Sequence, residues 1–471
     1  MKKLILSLFL CSFITTIYSQ IPKEKLLNDY DILVTELKTY HQGLYQYVEK
    51  SVIDQKIDSI RKTIESSNKI EFFKKVNALI ALTNEGHTEA ELPFWAQIKF
   101  GLSKSFIPIK IKFSDKKAII TKYFAKDNPG LNFGDQLLSI NGRTIEQIMQ
   151  KLRPYIVTDG FNETSFYEWI SWNFPLYYTM AYGKEKKFKI EVKEFNSEKV
   201  KTLTLKGRNI LKQKDKKNTL NTIIIKNEFD YYSISDSVFY LSIPNFYSLD
   251  DFETFYEKVF KIIKEKNTKH LIIDVQNNIG GEEGNENLLA SYLFKEAFQK
   301  YESVIIPIAA YDNFKKSKSA IADAWALSNN IPHRGKFTLM SDYFSEFGYK
   351  KPKQELVYTG KVYVLTSGVT FSGGAEFASM LKMTNRAVFI GEETGGAYEG
   401  NVSGESGDIK LPKTKIKVSI PIVHFKMDVH PEIRGRGVMP DYNVSQDWED
   451  IIKGKNSKLE FALKLIEKNT R

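Results

Sequence analysis

The chain has 471 residues, 42% of them hydrophobic and 27% charged, which is enough for two or three cores and excludes a disordered or fibrous chain. Its formal charge of +11 is spread over scattered lysines interleaved with acids such as Glu185 and Asp215. With no zinc-finger or nucleic-acid motif beside them, these lysines read as a solvated surface, so no nucleic-acid partner is expected.

The chain opens with Met1-Lys2-Lys3, an apolar run from Leu4 to Phe13, and Ile17-Tyr18-Ser19-Gln20. That pattern predicts a secretory signal over residues 1–19 and an exported protein, periplasmic or secreted. The run is short for a membrane anchor, and Leu10 stands where a lipoprotein signal at Cys11 calls for a small residue. Losing Lys2 and Lys3 takes the charge from +11 to +9, and losing Cys11 leaves no thiol for a disulfide or metal site. No later segment reads as a membrane span.

Apolar residues at Leu26, Tyr30, Leu33, Leu37, Tyr40 and Leu44 predict a first amphipathic helix. Ile53, Ile57, Ile60 and Ile64 predict a second, and Phe73, Val76, Ile80 and Thr83 a third. The segment ends at Asn84-Glu85-Gly86-His87-Thr88, and residues 20–102 read as a helical domain. The period then changes to two at Ile107–Phe113 and Ala118–Thr121. Leu131-Asn132-Phe133-Gly134-Asp135-Gln136-Leu137-Leu138-Ser139-Ile140-Asn141-Gly142 resembles the Gly-Asp and Asn-Gly turns of a PDZ domain. Residues 143–152 would be its helix, Phe161–Tyr182 an aromatic-rich insertion, and Lys187–Val192 and Lys199–Leu205 the closing strands, giving a PDZ-like domain over 103–212. From 213 to 471 strands and helices alternate, with strands expected at Val238–Ile243, Leu271–Val275, Val304–Ile308, Val362–Thr366, Ala387–Ile390 and Ile416–Ile420. That alternation predicts an α/β layer domain.

Three Gly-rich strand ends lie in this last part. They are Leu271-Ile272-Ile273-Asp274-Val275-Gln276-Asn277-Asn278-Ile279-Gly280-Gly281, Thr366-Ser367-Gly368-Val369-Thr370-Phe371-Ser372-Gly373-Gly374, and Arg386-Ala387-Val388-Phe389-Ile390-Gly391-Glu392-Glu393-Thr394-Gly395-Gly396. Singly, each reads equally as a tight turn, and Ser372 as a helix N-cap. In this order they resemble the tail-specific, or C-terminal-processing, serine protease family. The resemblance implies a crotonase- or ClpP-like α/β core and a serine-type peptidase hydrolysing proteins or peptides, often near a C-terminus, with no cofactor or metal.

Carried over, Ser372 falls on the nucleophile, fourteen residues before Arg386, as in the family. Gly373 and Gly280 or Gly281 fall on the oxyanion-hole amides. Gln276 replaces the usual arginine, and Glu376 stands one residue beyond the position of the usual glutamate. Where one branch carries its lysine base, twenty-five residues after Ser372, this chain has Ala397. The other branch resembles the tricorn core and pairs serine with histidine; His87 matches that base, with His41, His424 and His430 as alternatives. Gly86 replaces the serine that orients the histidine, and Glu432, beside Arg434, is the candidate orienting acid. Rival readings are a peptide-binding homologue without catalysis, and an esterase or crotonase-like lyase. Oligomeric state is not legible.

Overall fold

The computed structural model describes residues 20–124, 129–210, 213, 228–307, 331–333, 337–339, 349–430 and 433–470. The predicted leader and Glu432 lie outside them. The architecture is mixed α/β. Helices Lys23–Tyr40, Lys50–Lys62 and Lys69–Ile80 follow the predicted apolar periods, burying Leu26, Tyr30, Leu33, Ile53, Phe72 and Val76. Their core also contains Leu411, Ile416, Val418 and Ile420, so these helices are completed by a hairpin from the far end of the chain. Asp29, fully buried, fixes that junction: its carboxylate accepts the backbone N–H groups of Lys413 (2.9 Å) and Thr414 (2.7 Å) and the Thr414 hydroxyl (2.7 Å). Asp29→Ala should therefore cost about 2–3 kcal/mol, because it strands buried donors. A lowered urea midpoint with an unchanged slope checks this.

An antiparallel sheet follows, in the order Ile109–Ser114, Lys117–Tyr123, Gln136–Ile140, Lys187–Lys193, Val200–Lys206. Its helix Ile145–Leu152 starts with a capping box between Thr144 and Gln147. The aromatic-rich insertion is itself largely a helix, Thr164–Tyr182, kinked at Asn173 ahead of Pro175. Its Phe166, Ile170, Phe174 and Tyr178 fill the core of this sheet. Aromatic and β-branched residues have modest helix propensity, so the sequence pattern alone concealed it.

The remaining strands among the described residues form two six-stranded sheets rather than one layer, and a two-stranded pair, Phe298–Gln299 with Tyr349–Lys350. The first runs in the order Tyr442–Asn443, Ala387–Gly391, Lys361–Thr366, His270–Asp274, Val238–Ser242, Asp230–Ser233, and is parallel except for its last strand. Its central strands are buried from their second residue on, and Val238–Ser242 throughout, as a two-sided parallel sheet requires. The second is antiparallel and pairs Tyr301–Pro307 with Lys417–Met427, which also pairs with Gly400–Lys410 and Glu89–Glu91. Two predicted strands, Val304–Ile308 and Ile416–Ile420, thus belong to this second sheet. No helix among the described residues is long and apolar enough to cross a membrane.

Candidate active site

The three Gly-rich motifs are the C-terminal ends of adjacent parallel strands, with Asp274 opposite Leu365 and Thr366 opposite Gly391. Ligand sites in such sheets form beyond the strand ends, where loops converge. Hydrogen bonds lock the loops together. Ser367 Oγ donates to Gln276 O (2.6 Å), Thr370 Oγ1 to Val275 O (2.8 Å), Phe371 N–H to Asn278 O (2.9 Å), and Gly396 N–H to Thr370 O (3.1 Å). Gly396 packs so closely that a Cβ there would lie 2.6 Å from Ala375 Cβ.

Ser372 sits where the strand Lys361–Thr366 gives way to the helix Gly373–Met383. Its backbone is at φ 51°, ψ −129°, a region nearly reserved for glycine that costs a serine about 1–3 kcal/mol. Its side chain makes no capping hydrogen bond, so the N-cap reading does not account for it. The strained turn presents the hydroxyl at a half-buried position beside the first amide of the helix, that of Gly373.

Opposite lies the Gly280-Gly281 turn. A Cβ at Gly280 would meet Ser372 Cβ at 2.6 Å and Gly373 N at 2.9 Å, so only glycine permits this approach. Gly280 N–H already donates to Asn278 Oδ1 (2.8 Å). Gly281 and Gly373 N–H groups make no hydrogen bond to a described residue. Asn278, whose Nδ2 donates to Ile243 O (3.0 Å), thereby holds the turn in shape.

His87 stacks on Phe371, the residue before Ser372, with ring centroids 4.7 Å apart. Its Nδ1 is 2.7 Å from Glu85 Oε1, and its buried Nε2 has no hydrogen-bond partner. The Phe371 contact brings His87 next to the Ser372 turn, but Ser372 Oγ and His87 Nε2 are not hydrogen bonded. Burial pushes the His87 pKa down, against the pull of Asp159, Glu376 and Glu89, so the ring is neutral at pH 7.

Glu85 and Asp159 are both buried. Glu85 Oε2 accepts Val402 N–H (2.7 Å), while Asp159 accepts Gly86 N–H (2.7 Å) and Ala397 N–H (3.2 Å). Burial pushes Glu85 up to about 7, and it raises Asp159 well above the carboxylate range, with Glu85 adding to the rise. Atoms of Glu85, His87 and Asp159 lie within 4.8 Å of one another, a spacing that suits a cation, although backbone amides already take much of the carboxylate capacity. Both acids escaped the sequence reading. Glu85 stands in the quoted Asn84–Thr88 stretch, two residues before His87. Asp159 arrives from the loop ahead of the aromatic helix, and no local signal marks it.

The remaining candidates have other surroundings. Arg434 donates to Gln46 O. His41 is buried, bonded to Thr88 Oγ1 (2.8 Å) and Gly43 N–H (3.0 Å), and pushed down to about 3 by burial. His424 is likewise pushed down to about 4 by burial, and exposed His430 pairs with Asp428. A cleft of 430 Å³ opens beside Phe371 and Ile279, with Trp169, Trp172 and Tyr177 in its wall.

Residues 237–444 match Peptidase family S41. Among solved structures, mature CPAF is 15% identical with a TM-score of 0.62, covering 94% of this chain and 96% of its own. Mature CPAF complexed with lactacystin gives 14%, 0.64, 94% and 97%, and a mutant of CPAF gives 14%, 0.65, 94% and 96%. These likenesses extend to nearly the whole fold. The match of residues 237–444 to Peptidase family S41 supports a serine-type peptidase hydrolase.

Proposed function

We propose that the protein cleaves peptide bonds by a Ser-His mechanism, with Ser372 as nucleophile and His87 as base. The observation that carries this reading is the strained, uncapped Ser372 turn at a helix N-terminus, facing a neutral histidine whose Nε2 has no partner. Ionised Glu85 accepts a hydrogen bond from His87 Nδ1–H, which leaves the Nε2 lone pair to take the Ser372 proton. Ser372 Oγ attacks the carbonyl carbon, the Gly373 and Gly281 amides receive the oxyanion, and His87 returns the proton to the leaving amine. Water then hydrolyses the acyl-enzyme by the reverse use of the same base. Substrate binding closes the Ser372–His87 contact, since catalytic hydrogen bonds are often long in free enzymes. Glu85, with Asp159 behind it, takes the orienting role for which Glu432 is the sequence candidate.

The same reading makes the protein exported, acting on polypeptides and often near their C-termini, with the antiparallel sheet over 109–206 as a PDZ-like domain that holds the peptide by strand addition. The aromatic cleft beside Ile279 suits an apolar substrate side chain.

The test is digestion of unfolded polypeptides with apolar C-termini, with fragments identified by mass spectrometry. Wild type should cut, and both Ser372→Ala and His87→Ala should not. Cutting that survives His87→Ala would discard that base. The acid limb supplies a further prediction. As pH falls through about 7, Glu85 gains a proton and no longer accepts from Nδ1–H, so kcat/KM should fall there. Glu85→Gln should lower kcat about 10- to 100-fold and abolish that limb. A limb unchanged in Glu85→Gln would assign it to another group.

A further inference from the structure

The helix Phe94–Gly101 and the hairpin strands Gly400–Lys410 and Lys417–Met427 bound an open cleft of 1240 Å³ that plays no part in the site above. The helix buries Ala96 and Phe100 but leaves Phe94 63%, Trp95 69% and nearby Leu102 53% exposed. The Phe94 and Trp95 rings stand edge to face, 5.2 Å apart, so they form one apolar projection rather than two scattered residues.

Around this projection stand five lysines, Lys69, Lys99, Lys410, Lys415 and Lys417, against two acids, Glu91 and Asp408. Asp408 is already paired with Lys417 at 2.7 Å. The collar is therefore strongly cationic. A second copy docking face to face would set one lysine collar against another, and lysine is disfavoured at protein interfaces. Aromatic rings within a cationic rim are instead the composition of a surface that sits at a lipid headgroup boundary.

The chain's own path adds an independent observation. Ile21 N–H donates to Ser67 O at 2.9 Å, two residues before Lys69 of the collar. The start of the described chain is thus tied to the segment that leads into Lys69.

We propose that this face rests on an anionic lipid bilayer, with Phe94, Trp95 and Leu102 entering the headgroup layer and the lysine collar on lipid phosphates. The peptidase site would then work beside a membrane, without any span of its own among the described residues.

Co-sedimentation with vesicles tests this, using an equimolar mixture of phosphatidylcholine and phosphatidylglycerol against phosphatidylcholine alone. Wild type should pellet with the mixed vesicles only, and binding should fall about tenfold or more when salt shortens the Debye length to about 3 Å. The pairs Phe94→Ser/Trp95→Ser and Lys410→Glu/Lys415→Glu should each weaken binding about tenfold or more. Both should keep wild-type cleavage of a short soluble peptide. Every variant carries the same N-terminus, so that segment cannot produce the difference. Failure of wild type to bind, or binding unchanged in both pairs, overturns the proposal. A concentration-dependent dimer abolished by the same pairs would also overturn it, assigning the face to a second copy.

Discussion

Ser372→Ala is expected to lower kcat/KM about 10⁴- to 10⁶-fold, the range seen when a serine nucleophile is removed from an otherwise intact site. The size follows from the chemistry: without Oγ no acyl-enzyme forms, and His87 has no proton to take. Stability should move the other way with a second substitution. Ser372 holds φ 51°, ψ −129°, where any Cβ is strained, so Ser372→Gly should be about 1 kcal/mol more stable than Ser372→Ala while equally inactive. Denaturant midpoints and peptide kinetics on the same two proteins check both halves. Equal midpoints would mean that the turn is not strained, and residual cleavage in either would move the nucleophile elsewhere.

The second large effect concerns Lys300, which is fully buried among Glu283 (2.7 Å), Glu286 (2.5 Å) and Glu376. Burial opposes the ammonium charge, but the three carboxylates more than offset it and hold its pKa above the usual range. Tyr301 OH donates to Glu283 (2.6 Å) and Asn401 Nδ2 to Glu376 (2.7 Å), which completes the network. Glu376 is on the first turn of the Ser372 helix, and Glu286 is on the helix that follows the Gly280-Gly281 turn, its Oε1 accepting Gly284 N–H at 3.1 Å. One cation thus ties both halves of the site together. Lys300→Met leaves buried carboxylates unpaired and should cost about 3–5 kcal/mol at pH 8. The sign with pH follows from linkage. Burial already pushes the Glu283 pKa up to about 8 against the pull of Lys300, and without the ammonium that opposing pull is lost and it rises further above its unfolded value. Stability is then present below the unfolded values and lost as pH climbs through the folded ones. The variant should therefore lie closer to wild type at pH 5 than at pH 8 in urea titrations. An equal loss at both pH values would contradict this account of the cluster.

How far the sequence reveals the fold and the site depends on whether the signal is local. Asp230–Ser233, Gly400–Lys410 and Glu89–Glu91 were not read as strands, whereas the helices of residues 23–80 and the central strands of the parallel sheet were legible because their apolar periods are strong and short-range. Sheet membership was not: Tyr301–Pro307 and Lys417–Met427 read like the parallel strands, yet they pair with each other, and pairing across more than a hundred residues leaves no mark in period. The helix Thr164–Tyr182 was hidden by aromatic residues that favour neither state clearly. His87 was reached only through the family resemblance, whereas the turn that carries Ser372 and the glycines facing it were legible because a strand end, a Gly-rich turn and a helix start leave a fixed local pattern. Asp159 was not, since only the tertiary fold carries it beneath Gly86. Lys300 was one lysine among many until burial distinguished it.

Reaction with a fluorophosphonate, followed by mass spectrometry of the digested protein, tests the central claim most directly, because it reads nucleophilicity at one atom without needing the natural substrate. The account predicts one adduct per chain, on Ser372, formed at wild-type rate by neither His87→Ala nor Ser372→Ala. An adduct on a different residue, or none on a folded wild-type protein, would contradict it.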